Sequence, residues 1–204
     1  MRAGTRRAPP GKTQQMLIAN TDTHLTDAAI IVASQRDPAL FAQIFDRHWT
    51  RIHRYCVSRA GAAGEDIAAE TFRVALDSRR RFDRSRVDAG PWLFGIATNL
   101  LRHRLRSETR RTRALARLHL HDEADLADGA LDRIEAEALG PQVAAALAQL
   151  SPKYRDALLL HVWGDLSYEQ VAEATHVSVG TVRSRIHRAR SYVRSALHPE
   201  EILP

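Results

Sequence analysis

Apolar residues recur at helical spacing along most of the chain, and the strict alternation that marks a half-buried β-strand is absent. Between Leu25 and Leu105 this periodicity predicts four helices, at residues 26–34, 38–60, 65–79 and 92–106. After Gly140 it predicts four more, at residues 141–150, 152–163, 168–175 and 178–197. The sequence therefore predicts an all-α protein.

The last two of these helices are separated by a tight turn. Ser167 followed by Gln170 is a capping box that begins the first helix, and Ser178 is a candidate N-cap for the second. On the second helix an apolar stripe recurs at i, i+4, i+7 and i+11, at Val182, Ile186, Ala189 and Val193. Two short helices joined by three residues are typical of a helix-turn-helix, whose second helix enters the DNA major groove.

The face opposite that stripe is basic throughout. It carries Arg183, Ser184, Arg185, His187, Arg188, Arg190 and Arg194. A solvated helix of an ordinary bundle is the alternative interpretation. Such a face normally mixes charge signs, because opposite charges four residues apart stabilise a helix. No acidic residue stands between Thr181 and Leu197, which favours DNA binding.

Composition divides the chain into two helical domains with flanking segments. Residues 1–24 are polar and contain paired prolines, so we expect them to be disordered. Residues 122–137 hold seven acids and one arginine, which predicts a flexible linker with a short helix near 131–139. We place the extension at 1–24, the first domain at 25–106, the linker at 107–139, the helix-turn-helix domain at 140–198 and a tail at 199–204. The expected fold is two small helical bundles joined by a flexible linker.

The charge distribution points to a polyanionic partner. The 204 residues carry a net charge of +6, and all but two of the 30 cations are arginine. Between Arg79 and Arg117, twelve arginines stand against three acids. Arginine suits bidentate contacts with phosphate and guanine. A second basic surface is therefore expected in the first domain.

Several kinds of chemistry are excluded by the residues present. The single cysteine, Cys56, allows no internal disulfide, and its setting indicates a small buried side chain. No histidine pair has the i,i+4 spacing of a helical zinc site, and no catalytic constellation can be assembled. We expect no enzymatic activity, no metal and no cofactor. Because no apolar run reaches 18 residues and no signal peptide is visible, we expect a soluble cytoplasmic protein.

Two blocks resemble one family, the small extracytoplasmic-function class of bacterial RNA polymerase sigma factors. LSPKYRDALLLHVWGDLSYEQVAEATHVSVGTVRSRIHRARSYVR resembles region four of these proteins. EDIAAETF is similar to region 2.2, and PWLFGIATNLLRHRLR to the end of region 2.3 and region 2.4. The resemblance implies a protein that binds core RNA polymerase and directs promoter recognition and transcription initiation. The contacts on the polymerase would be the clamp helices of the largest subunit and the beta flap.

The resemblance also implies which residues of the first domain act. The polymerase-binding helix would hold Asp66, Glu70, Thr71 and Phe72. The minus-ten element of the promoter would be contacted by Arg84, Arg86, Asn99, Arg102, His103 and Arg106. Phe72 is alternatively a core residue, and Asn99 alternatively caps a helix or makes a buried hydrogen bond. Trp92 is expected in the core.

In region four the second helix would bind the minus-thirty-five element. N-terminal residues of such helices reach the base edges, which favours Thr181, Ser184, Arg185 and Arg188 as base contacts. Arg183 and Arg190 are expected to contact phosphates. The resemblance further implies control by an anti-sigma factor, in whose complex the two domains would pack together with their DNA faces covered.

Two other functions are compatible with the helix-turn-helix. The chain could be a stand-alone dimeric transcription regulator, with its first domain used for dimerisation or sensing, although no ligand pocket or phosphoacceptor is visible. It could also be an interaction module without a DNA role, which leaves the arginine distribution unexplained. Co-purification with core polymerase and the salt dependence of DNA binding separate these functions from the first.

Overall fold

A computed structural model describes residues 25–118 and 140–197, and within these ranges every regular element is a helix. The N-terminal bundle consists of α1 (Asp27–Ser34), α2 (Ala42–Ala60), α3 (Ala63–Ser78) and α4 (Gly90–Leu118). Two short 3₁₀ helices, Pro38–Phe41 and Arg79–Arg81, precede α2 and follow α3. The C-terminal bundle consists of α5 (Pro141–Gln149), α6 (Pro152–Val162), α7 (Tyr168–Thr175) and α8 (Val179–Leu197). The all-α prediction is confirmed.

Local sequence signals set most of the helix boundaries. The Thr26 side chain caps α1, and the carboxylate of Asp37 accepts a hydrogen bond from the N–H of Ala39. Gly61 ends α2 with a φ of 54°, a left-handed conformation that glycine adopts at little cost. The apolar stripes of α2, α3 and α4 then meet in a core that includes the fully buried Tyr55 and Phe94.

The predicted end of α4 near residue 106 is wrong, because the helix continues to Leu118. The added residues contain no glycine or proline and are rich in arginine, alanine and leucine, which are good helix formers. Arg104 also donates to Glu108, one turn later, at 3.0 Å. The first part of the predicted linker is therefore helical. The predicted disorder of residues 1–24, the short helix near 131–139 and the tail lie outside the described residues.

The helix-turn-helix forms as the sequence predicts. Ser167 and Gln170 make both hydrogen bonds of a capping box at the start of α7. His176 turns the chain in the left-handed region with a φ of 54°, and the Ser178 hydroxyl then accepts the N–H of Thr181 to begin α8. Two large apolar side chains are exposed, Phe45 by 38% and Val162 by 54%. Phe45 stacks on Trp49 at the rim of the bundle, so the ring is only partly covered.

The two bundles pack against each other through α4 and α7. A Cβ at Gly95 would lie 2.9 Å from the Ala174 carbonyl oxygen, so the two helix backbones approach closely at a residue without a side chain. Beside this point Arg51 donates to the Gly164 carbonyl at 2.8 Å. The buried residues of both bundles form one continuous apolar core. Among the described helices, none is both long and apolar enough to cross a membrane.

Candidate nucleic-acid interface

The basic face of α8 is available to a partner. Val182, Ile186 and Ala189 are buried against the rest of the C-terminal bundle, and at 100° per residue Ser184 and Arg188 point away from them. Both of these side chains are exposed, as are those of Arg183 and Arg190 at the edges of the helix. The helix therefore presents its arginines to solvent, as expected for insertion into a major groove.

Two of the predicted base contacts have roles within the protein. The Thr181 hydroxyl is half-buried and lies 2.9 Å from that of Ser178, so it belongs to the N-cap of α8. Arg188 donates to the Tyr154 hydroxyl at 3.3 Å, and this contact, with Lys153 nearby, lowers the pKa of Tyr154. The tyrosine holds the guanidinium on the exposed side of the helix. Arg185 is half-buried beside it.

The second basic surface is formed by residues 79–89 and by the exposed face of α4 between Asn99 and Arg106. Arg84, Asn99, His103 and Arg106 are exposed. Asn99 lies in the middle of α4 with its side chain exposed, so it neither caps a helix nor makes a buried hydrogen bond. The other two predicted minus-ten residues, Arg86 and Arg102, are engaged with acids.

A groove of about 850 Å³ separates this surface from the helix-turn-helix. Its apolar floor includes Phe82 and Trp92, whose rings lie 5.1 Å apart. Trp92 is half-buried there and is not a fully buried core residue. Asn99 lines one side, and Ser178 and Val179 line the other. The predicted minus-ten surface thus faces the start of α8 across the groove.

A buried cluster of charges joins the two bundles, and sequence reasoning missed it. Asp156 on α6 pairs with Arg59 on α2 at 2.6 Å and accepts a hydrogen bond from Arg102 on α4 at 2.5 Å. The Arg59 and Asp156 side chains are only 4% and 1% exposed. Burial alone would lower the pKa of Arg59, but Tyr55 and Asp156 raise it, so the guanidinium stays charged. One feature of the sequence could have revealed the cluster. Asp156 stands four residues before the apolar Leu160, so it is a charged residue on an apolar helix face.

A second buried charge positions the start of α4. Asp27 accepts hydrogen bonds from Arg47 at 2.9 Å, from His48 at 2.6 Å and from the N–H of Ala89 at 2.9 Å. Burial alone would raise the pKa of Asp27, but these hydrogen bonds lower it to about 2. Asp27 therefore ties α1 and α2 to the residue that precedes α4.

Asp27, His48 and Asp88 place three potential metal-ligand atoms within 4.8 Å of one another. The Asp88 oxygens accept hydrogen bonds from the N–H of Gly90 at 2.7 Å and from the Gln170 amide at 3.1 Å. Both Asp27 oxygens are likewise hydrogen-bonded within the protein. With every carboxylate oxygen used in this way, the cluster has a structural role.

The predicted polymerase-binding residues on α3 separate into two kinds. Asp66 is exposed and Glu70 is half-exposed, where it pairs with Arg73 at 2.5 Å. Thr71 is fully buried and donates to the Ile67 carbonyl at 2.7 Å. Phe72 is 5% exposed and packs against the rings of both Phe45 and Trp49, so the core alternative describes its position. Only the two acids reach the surface.

The sequence matches two profiles of one family, in the expected order. The profile of Sigma-70 region 2 matches residues 44–111, and that of Sigma-70 region 4 matches residues 141–193. The chain is 32% identical to the ECF RNA polymerase sigma factor SigW of Bacillus subtilis, over 79% of this chain and 90% of that protein. It is 33% identical to the ECF RNA polymerase sigma factor SigC of Mycobacterium tuberculosis, over 90% of this chain and 97% of that protein.

Solved structures have the same fold. CnrH, in complex with the cytosolic domain of CnrY, aligns with a TM-score of 0.60 at 22% identity, over 85% of this chain and 98% of that one. The sigma factor RpoE of Bartonella quintana, in complex with the anti-sigma factor NepR, aligns with a TM-score of 0.58 at 23% identity, over 78% of this chain and 98% of that one. From the two regional matches and the curated relatives, the chain belongs to the extracytoplasmic-function family of RNA polymerase sigma factors, which are transcription initiation factors and not enzymes.

Proposed function

We propose that the chain binds core RNA polymerase in the cytoplasm and divides promoter recognition between its two bundles. The observation that carries this proposal is the presence of two separate arginine-bearing surfaces, one in each bundle, at the positions matched by the two family regions. Several arginines neutralise phosphate charges of the DNA and so supply binding affinity. A few side chains that contact base edges supply the preference for a particular sequence.

On the minus-thirty-five element, Ser184 and Arg188 are the principal base contacts, and Arg185 supports them. These residues lie toward the N-terminal half of α8, which enters the groove first in helix-turn-helix proteins. Arg183 and Arg190 contact phosphates from the edges of the helix. Thr181 acts chiefly by capping α8, since its hydroxyl is already engaged with Ser178.

On the minus-ten element, the loop arginines Arg84 and Arg86 attract the separated strand. Asn99 stands on the exposed face of α4 beside the Phe82–Trp92 pair, where an unstacked base would find both a polar group and an aromatic surface. Arg102, His103 and Arg106 continue the basic face along the helix.

Binding to the polymerase clamp helices involves the exposed acids Asp66 and Glu70 on α3. Thr71 and Phe72 support that surface from within, because both are buried. The C-terminal bundle would contact the beta flap. Control by an anti-sigma factor is a further proposal, supported by the complexes in which the two similar structures were solved.

Run-off transcription from fragmented genomic DNA tests the function directly. Core polymerase with this protein is expected to start at a small set of promoters, whereas core polymerase alone is not. A stand-alone regulator would bind DNA without conferring start sites on the core enzyme, and it would not co-purify with it. Either result would overturn the proposal.

A further inference from the structure

The hydroxyl of Tyr154, in the first turn of α6, lies against the proposed recognition helix. It accepts a hydrogen bond from Nη1 of Arg188 at 3.3 Å, so a side chain of one helix holds a guanidinium of another. The Tyr154 ring is half-buried and packs against the apolar core, which fixes the direction of the hydroxyl. Arg188 is exposed, and without this contact its long side chain could adopt several rotamers.

Tyr154 stands on a well-fixed part of the C-terminal bundle. Pro152 is the first residue of α6, and the N–H of Tyr154 donates to the Ser151 carbonyl at 3.0 Å. Two residues after Tyr154, the buried Asp156 pairs with Arg59. A tyrosine side chain has only two torsions, so an anchored ring leaves its hydroxyl little freedom. The position of this hydroxyl relative to α8 is therefore set by the packing of the bundle.

The hydrogen bond leaves Arg188 able to contact a base. A guanidinium carries five N–H groups, and Tyr154 accepts one of those on Nη1. The edge formed by Nε and Nη2 keeps its donors, and two donors on one edge are what a bidentate contact with O6 and N7 of guanine requires. The contact with Tyr154 therefore restricts the direction of the guanidinium without using the donors that would read the base.

The hydroxyl also preserves the positive charge that DNA binding needs. Unlike a carboxylate, a neutral hydroxyl orients a guanidinium without neutralising it. The hydrogen bond from Arg188, with Lys153 and Arg185 nearby, lowers the pKa of Tyr154, which indicates that positive groups surround the oxygen. Nζ of Lys153 lies 5.1 Å from the centre of the Tyr154 ring. The start of α6 thus adds to the positive charge beside the recognition helix.

We propose that Tyr154 is a positioning residue for minus-thirty-five recognition, which holds Arg188 in the one orientation that reads its base. The guanidinium is ordered before DNA binds, so less conformational entropy is lost when the complex forms. A guanidinium held in this way cannot turn to meet the acceptors of another base pair, so the hydroxyl contributes to sequence preference. The inference deepens the proposed function and rests on it, since it requires that Arg188 contacts a base.

The test is a double-mutant cycle in the full-length chain. Tyr154→Phe removes the hydroxyl and keeps the ring that packs against the core. Arg188→Ala removes the side chain that the hydroxyl holds, and a third variant combines both changes. Tyr192→Phe is the matched control, because Tyr192 on α8 is exposed and its hydroxyl donates to Gln149 at 3.4 Å, away from the proposed base contacts.

Fluorescence anisotropy measures the affinity of each variant for a duplex selected from random sequences by the wild-type protein, and for the single-base variants of that duplex. We expect Tyr154→Phe to bind the selected duplex about fivefold more weakly, as for the loss of one ordinary hydrogen bond. Discrimination should fall by the same factor at the base pair that Arg188 reads and should be unchanged at the others. In the Arg188→Ala background Tyr154→Phe should have no effect, because the two residues act as one unit. Tyr192→Phe should behave as the wild type.

Unchanged discrimination by Tyr154→Phe would overturn the proposal. So would a weaker binding that is equal on all duplexes, because the hydroxyl would then only stabilise the bundle. A loss that persists in the Arg188→Ala background would overturn it as well, since Tyr154 would then act on the DNA directly. Discrimination is a ratio of two affinities measured on one preparation, so a smaller folded fraction of a variant does not alter it.

Failure of this inference can be distinguished from failure of the proposed function. A loss for Arg188→Ala that is equal on all duplexes would overturn both the base contact and its positioning by Tyr154. A base-dependent loss for Arg188→Ala with no effect of Tyr154→Phe would overturn the positioning alone. Run-off transcription with the wild-type protein judges the role as a polymerase subunit separately, since it does not depend on how one arginine is held.

Discussion

The backbone N–H of Ala89 donates a hydrogen bond of 2.9 Å to the carboxylate of Asp27, which lies in the first turn of α1. The N-terminal helix thereby fixes the residue from which α4 begins, although it precedes the part of the chain that matches Sigma-70 region 2. This contact makes the position of α4 dependent on one buried acid.

Replacement of Asp27 by Asn should destabilise the protein in a pH-dependent way. The pKa of Asp27 is about 2 in the folded state against an ordinary 3.8, so its ionised form stabilises the fold by about 2 kcal/mol at neutral pH. This contribution is complete above about pH 5 and is lost as the pH falls towards 2. The free energy of unfolding should be measured by urea titration at a series of pH values. The difference in this free energy between wild type and Asp27→Asn should become smaller below about pH 4.

Asp77→Asn is the control for that experiment, because Asp77 is exposed and, among the described residues, pairs with Arg73 alone, on its own helix. Little change in stability is expected for this variant at any pH. If the free energies of unfolding of wild type and Asp27→Asn differ by the same amount at every pH, the role given to the Asp27 charge is contradicted.

Arg188→Ala should weaken binding to a duplex selected with the wild-type protein by about 1–3 kcal/mol, because one bidentate base contact is lost. The loss should disappear on duplexes in which the contacted guanine has been replaced. Fluorescence anisotropy with a panel of single-base variants measures both effects. Arg194→Ala, near the exposed C-terminal end of α8, is the matched control. An equal loss on all duplexes would assign Arg188 to phosphate contact.

Glu70→Lys should lower the affinity for core polymerase about tenfold, since it reverses one charge on the proposed clamp-binding face. Binding of the selected duplex should be unchanged, because α3 lies in the other bundle from α8. Competition with a labelled wild-type protein measures the affinity for core polymerase. Asp165→Lys controls for a general effect of charge. Unaltered polymerase affinity would remove Glu70 from the interface.

Cys56 should not react with thiol reagents in the folded protein. Its side chain is fully buried, and burial raises the pKa of the thiol to about 12, so almost no thiolate forms at neutral pH. Reaction with a chromogenic disulfide should be slow in buffer and rapid in denaturant. Rapid labelling in buffer would contradict this expectation and would show that the N-terminal bundle opens readily around Cys56.

The sequence predicted features that depend on residues close together in the chain. The Ser167–Gln170 capping box and the Val182–Ile186 stripe could be identified because each involves neighbours within one or two helical turns. The continuation of α4 beyond residue 106 was missed because a single flexible linker was predicted for residues 107–139, although residues 107–118 favour a helix.

Features that depend on distant residues could not be predicted in the same way. Arg59 follows Ile52 and Tyr55 on one helix face, and Asp156 precedes Leu160 on another, so each is visible as a charge among apolar residues. Nothing in either helix identifies the other as its partner. The engagement of Arg102 by the opposite bundle was hidden for the same reason, since it results from how the bundles pack.

The Arg59–Asp156 pair limits how freely the two halves of this protein can be exchanged with those of its relatives. A chimera that joins this N-terminal bundle to a foreign C-terminal one without an acid at the Asp156 position would bury a lone guanidinium or fail to close. A hybrid built to redirect transcription would therefore need to keep a carboxylate at position 156, so that Arg59 retains its buried partner.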